Sequence, residues 1–122
     1  KFSLGAADPT RAVESLERSL QLNPRFAPAA EALANLLTLL PQRSPTAEAA
    51  VQIAAVRFPG NFRILAGLAL LEATHGPVES ARFAIARAQS VPLRADPVGT
   101  RGLNGAILLL ETRERIAKGK AP

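Results

Sequence analysis

Residues 18–33 read RSLQLNPRFAPAAEAL, two apolar, helix-like runs with Pro24 and Pro28 between them. Proline has no N–H to donate and its ring strikes the carbonyl one turn back, so a helix does not continue through it. The residue before it is pushed out of the helical region as well. The stretch is therefore the end of one helix and the start of the next. The same interruption returns as AAVRFPGNFRILAGL over residues 54–68, and more loosely as ARAQSVPLRADPVG over 86–99. Its prolines, Pro24, Pro59 and Pro92, stand 35 and 33 residues apart.

Small and apolar residues keep step with the prolines. Ala12, Leu16 and Ser19 precede the first, Ala47, Val51 and Ala54 the second, Ala81, Ile85 and Ala88 the third. Each trio is spaced four then three, which lays one stripe along a helix. A second stripe follows each proline: Ala30, Leu33, Ala34, Leu37 and Leu40, then Leu65, Leu68, Ala69, Glu72 and His75, then Leu103, Ile107 and Leu110. Leu33, Leu68 and Leu103 are 35 residues apart. The pattern predicts helices over 9–22, 28–40, 45–57, 62–74, 77–90 and 97–117, an all-α chain. Asp8-Pro9, Ser44-Pro45 and Asp96-Pro97 each place a side-chain acceptor before a proline, the order of an N-cap and first helical residue. Gly76 is expected to take a positive φ and end the fourth helix.

A helix–turn–helix unit of about 34 residues resembles the tetratricopeptide repeat. RAVESLERSLQLNP, residues 11–24, is similar to the second helix of that repeat with its closing Asn-Pro. LAGLALLEATHGPVESARFAIARAQSVP, residues 65–92, resembles nearly a whole unit, with Leu68, Ala69, Gly76, Ala81, Ile85 and Ala88 at the family's small and apolar places. The resemblance implies a right-handed α-solenoid of antiparallel helix pairs within one domain over 1–122. Its parts are a half repeat at 8–26, repeats at 27–61 and 62–94, and a capping helix with a basic tail at 95–122. It also implies an inner groove lined by the first helix of each unit. Groove candidates carried over in this way are Glu31, Asn35 and Thr38, then Arg63, Gly67, Leu70 and Thr74, then Arg101 and Gly105. Some members grip a C-terminal carboxylate with Lys and Asn; Asn35 fits one of those places, but Glu31 stands where a Lys is wanted and Gly67 where an Asn is, which argues against that ligand.

Composition narrows the possibilities. Hydrophobic residues make up 48% and charged residues 20%, the balance of a chain that folds. Aromatics are 4%, all Phe, so the core must be assembled from Ala, Leu, Ile and Val, whose small volumes let helices approach closely. Cysteine is absent, which removes disulfides, thiolate metal sites and a cysteine nucleophile. The longest uncharged apolar run, ILAGLALL at 64–71, is far short of the ~20 residues of a membrane span. The expectation is a soluble domain, in bacterial cytoplasm or periplasm. A chain that opens on Lys1 without a methionine reads as a fragment or processed product, and the preference for Arg, Ala and Pro is that of a high-GC bacterial genome.

Net charge is +5, with most of the surplus after residue 57. Such a surplus permits nucleic acid or anionic lipid. However, the basic segment with Arg113, Arg115, Lys118 and Lys120 has no aromatic on which bases could stack. Glu72 and His75 are three apart and share a helix side, the arrangement of an acid–base pair or two metal ligands. The chain holds a single histidine, so the plainer reading is a helix C-terminal histidine and a Glu72 paired with an arginine across an interface. GTRGLNG at 99–105 lacks the Lys-Ser/Thr ending of a phosphate loop and falls in a helical stretch, where its glycines serve packing. No catalytic residue, cofactor or metal is expected. The functional expectation is a protein-interaction scaffold binding a peptide or partner helix. The alternative is a regulatory or substrate-presenting module attached to a bacterial cell-envelope enzyme or membrane-bound polymerase. Self-association through exposed helix ends is a third possibility.

Overall fold

The computed structural model describes residues 9–92 and 96–119. These form six helices and no strand: α1 (Pro9–Leu22), α2 (Ala27–Leu39), α3 (Pro45–Arg57), α4 (Phe62–His75), α5 (Val78–Gln89) and α6 (Pro97–Gly119). The prolines act as read from the sequence. Pro9, Pro45 and Pro97 open helices, and the Asn-Pro after α1 closes it through a compact turn. In that turn the Asn23 side-chain oxygen accepts from the Arg25 amide at 3.2 Å, and the Phe26 amide donates to the Asn23 carbonyl at 3.0 Å. Asparagine suits this place because its side chain can mimic one more backbone turn.

Two expected helix ends differ. Ser44 precedes α3, yet its side chain makes no capping hydrogen bond. Gly76 has φ −93° and ψ 176°, extended backbone rather than left-handed. Its small size answers to a close approach instead, for the Glu72 carboxylate folds back over it and would collide with a Cβ. Asp8 lies outside the described residues.

Each helix packs on the next along the chain, and α2, α4 and α6 also pack on one another in order. α1 touches α3, but α3 and α5 have no close backbone contact. α4 sits at the middle, against α2, α3, α5 and α6, and buries nine of its fourteen residues. Such a helix has little room for a polar face, and ILAGLALL occupies its centre.

Small residues set the spacing between α2, α4 and α6. Gly67 on α4 faces Ala34 on α2, and Gly102 on α6 lies over the backbone of Ala66 on α4. Polar ties hold the units at their edges. Arg87 donates to the Ala55 carbonyl at 3.3 Å and Arg113 to the Ala73 carbonyl at 3.0 Å, each answering a carbonyl of a helix's last turn. Arg82 pairs with Glu79 and, across to α6, with Glu114. Among the described residues no helix is long and apolar enough to cross a membrane.

Candidate functional site

The groove candidates all lie on α2, α4 and α6, and these helices are tied together near their N-termini by charge. Asn61 caps α4, its side-chain oxygen accepting from the Ile64 amide at 3.0 Å, while its amide group donates to Glu31 on α2 at 3.0 Å. Asp96 caps α6 by accepting from the Val98 amide at 3.1 Å. Between them, Arg63 donates through Nε at 2.7 Å and Nη2 at 2.9 Å to both oxygens of Asp96, and lies 3.8 Å from Glu31. α2, α4 and α6 are thereby clasped by a Glu–Arg–Asp chain.

The clasp corrects part of the sequence reading. Arg63 is engaged by the molecule's own carboxylates, in the two-pronged geometry that makes arginine–carboxylate pairs specific. Gly67 is buried against Ala34 and offers no surface to a partner. Thr38 is half-buried and its hydroxyl donates to the Ala34 carbonyl at 3.0 Å. Thr74 donates likewise to Leu70, at 2.7 Å, but remains exposed. Asn35 is exposed beside Gly67, the half-buried Leu70 lies over Gly105, and Arg101 is exposed with no ion pair among the described residues.

Sequence reasoning missed apolar residues on the same row. Leu39 is 79% exposed, and Leu109 and Ile116 are also open to solvent. Leu39, Thr74 and Leu109 are 35 residues apart, as are Asn35, Leu70 and Gly105. The register that aligned Leu33 with Leu68 and Leu103 therefore carried the signal, had it been extended to positions outside the core stripe. The row thus presents amide, hydroxyl and leucine groups.

Glu72 and His75 lie elsewhere, toward the Arg43 side. Arg43 grips Glu48 with a fork of 2.6 and 3.2 Å, and Glu48 is buried. Glu72 makes no ion pair among the described residues; burial pushes its carboxyl up, opposed by the nearby Arg43 charge and aided by Glu48. The expected Glu72–arginine pair is therefore not formed, because Glu48 holds the guanidinium. His75 ends α4 as anticipated, and its Nε2 is buried without a hydrogen-bond partner. Among the described residues no three His, Cys, Asp or Glu side chains stand close enough to hold a metal.

The two carboxylates have opposite pH signatures. Asp96 is held down to about 2, chiefly by the Arg63 hydrogen bond, with help from the Gly99 and Val98 amides. A carboxyl whose folded value is depressed stabilises the fold above its ordinary value, and that contribution fades as pH falls from 3.8 toward about 2. Glu72 is raised above 4.5, so its charged form opposes folding at neutral pH and the opposition disappears on acidification. Thermal melts across the acid range are expected to show a flatter acid limb for Asp96→Asn. Glu72→Gln is expected to raise the melting temperature at neutral pH. An unchanged acid limb in Asp96→Asn means that the clasp does not contribute to stability.

No family model matches the chain, and neither the curated proteins nor the solved structures include a match to it.

Proposed function

We propose that the chain is a non-catalytic protein-interaction scaffold of the tetratricopeptide kind, a right-handed α-solenoid of antiparallel helix pairs. Its inner wall, α2, α4 and α6, takes a peptide or a partner helix. The observation that carries this reading is the difference between the two rows. α2, α4 and α6 pack on one another in order, whereas in the other row α1 meets α3 more lightly and α3 and α5 have no close backbone contact. A stack closed on one side and spread on the other is curved, and its closed side is concave. A wall of packed helices is preformed, so a bound segment orders itself against it without reordering the receptor.

Asn35, Leu39, Leu70, Thr74, Leu109 and Arg101 are the residues that this wall presents. Arg63→Glu is unsuitable as a binding test because it severs the clasp to Asp96. Asn35→Ala and Leu39→Glu alter exposed groups instead. Capture of native partners by the immobilised chain is expected to fall about tenfold in affinity with Leu39→Glu, the size of losing one good anchor. Helical dichroism is expected to stay unchanged. Undiminished capture by both variants rejects the inner wall as the site. Capture dominated by salt-sensitive nucleic acid rejects the scaffold reading itself.

A further inference from the structure

The outer face of α3 has no charged residue between Glu48 and Arg57; residues 49–56 read AAVQIAAV. α1 and α5 present Glu14, Arg18 and Arg82 on their exposed sides, as surface helices do. On α3 the inward residues Val51, Ala54 and Ala55 are buried, while Ile53 is 60% and Val56 74% exposed. Apolar residues all round a helix are the pattern of one covered on both sides. Beyond the gap, Phe83 on α5 is 67% exposed.

Two hollows flank this helix. One of about 320 Å³ lies between α1 and α3, and one of about 490 Å³ between α3 and α5. They are the same feature repeated. Gln21 and Ala49 line the first where Val56 and Phe83, 35 and 34 residues further on, line the second. α3 is thus an apolar ridge between two troughs: the one toward α1 is lined mainly by apolar groups, with Glu17 and Arg57 as its charges, while the larger one toward α5 also holds Glu72, Glu79 and Arg87.

We propose that this outer face is an interface between two copies of the chain, related by a two-fold axis near the middle of α3. A ridge beside a trough is self-complementary. Ile53 and Val56 of each copy enter the trough between α1 and α3 of the other, against Leu20 and Ala50, as a closed isologous pair requires. The rim charges favour a second copy over a partner of one sign. Glu17 and Arg57 both line the first hollow, and neither forms an ion pair among the described residues. An axis that reverses α3 sets the Arg57 end of one copy beside the Thr46 end of the other, on the wall shared with Glu17. The extent is sufficient. Three adjacent helices about 20 Å long at about 10 Å spacing cover on the order of 500 Å² per copy, reaching the roughly 1,000 Å² in total that separates stable interfaces from chance contacts.

The interface uses none of the inner wall, so the two readings fail separately. Because the chain contains no cysteine, Gln52→Cys introduces its only thiol, at the expected axis and without removing an apolar anchor. Mild oxidation is expected to convert this variant to a covalent dimer, while Thr112→Cys on α6 stays monomeric under the same conditions. In sedimentation equilibrium the unmodified chain is expected to rise toward twice the monomer mass with loading concentration. Ile53→Glu combined with Val56→Glu is expected to remain monomeric with unchanged helical dichroism, and Leu39→Glu to dimerise normally. The proposal is overturned by a monomer at every concentration, by dimers indifferent to the Ile53 and Val56 changes, or by equal cross-linking at Gln52→Cys and Thr112→Cys.

Discussion

Gly67→Leu is expected to force α2 away from α4 and to cost about 3 kcal/mol or more. An ideal Cβ at Gly67 already falls 2.9 Å from the Ala34 Cβ, nearer than real Cβ atoms come. The obstacle is a methyl fixed to a helix backbone, so relief requires the helices themselves to move. Even Gly67→Ala is expected to lose stability: its better helix propensity returns about 1 kcal/mol, against an overpacking cost of about 1–3 kcal/mol. Exchange of the two residues, Ala34→Gly with Gly67→Ala, preserves the total volume and is expected to recover most of the loss. Urea titration of the four chains in the cycle reads the coupling directly. A Gly67→Ala chain as stable as the original means that α2 and α4 are not in close contact.

Leu33→Ala is expected to cost about 3 kcal/mol, a large share of the 5–15 kcal/mol that a domain of this size holds. Leu33 is fully buried on α2, with Ala30 and Ala34 beside it also fully buried. Truncation leaves a void among groups already held by α1, α3 and α4, so little collapse can fill it. The repeat supplies an internal control. Leu68 is its counterpart on the central α4, and Leu103 lies on α6, which among the described helices packs on α4 and α5 alone. Losses at Leu33 and Leu68 are expected to be similar, with Leu103→Ala smaller at about 2 kcal/mol. Equal losses at all three, measured by urea midpoints, contradict the inequality of cover.

The helices were legible because their determinants are short in range. Pro45 at the head of α3, the Asn-Pro after α1 and the four-then-three stripes act within a turn or two, and each observed bound lies within two residues of that read from the sequence. The recurrence of Leu33, Leu68 and Leu103 also pointed to one environment repeated, and all three are buried. Ser44 and Gly76 were misread where a residue type admits more than one role. A serine before a proline can leave its hydroxyl unused, and a glycine after a helix can serve a neighbour's carboxylate instead of a left-handed turn.

That the candidate residues share α2, α4 and α6 was legible; which of them stay open to solvent was not. Numbering by repeat placed Asn35, Leu70 and Gly105 on one row, yet it also put Gly67 there as surface when Ala34 covers it.

Taken alone, the sequence settled which segments are helical, where they stop and that their core is made of small aliphatic groups, since proline sterics and apolar periodicity need no distant partner. Tertiary structure decided which polar groups remain available. Arg63 is bound by Asp96, 33 residues away, because the N-termini of α4 and α6 lie side by side. Glu72 lost Arg43 to Glu48 because the α2–α3 connection brings that carboxylate nearer. Charge pairing falls off over a few ångströms, so its outcome depends on where separate helix ends meet in space.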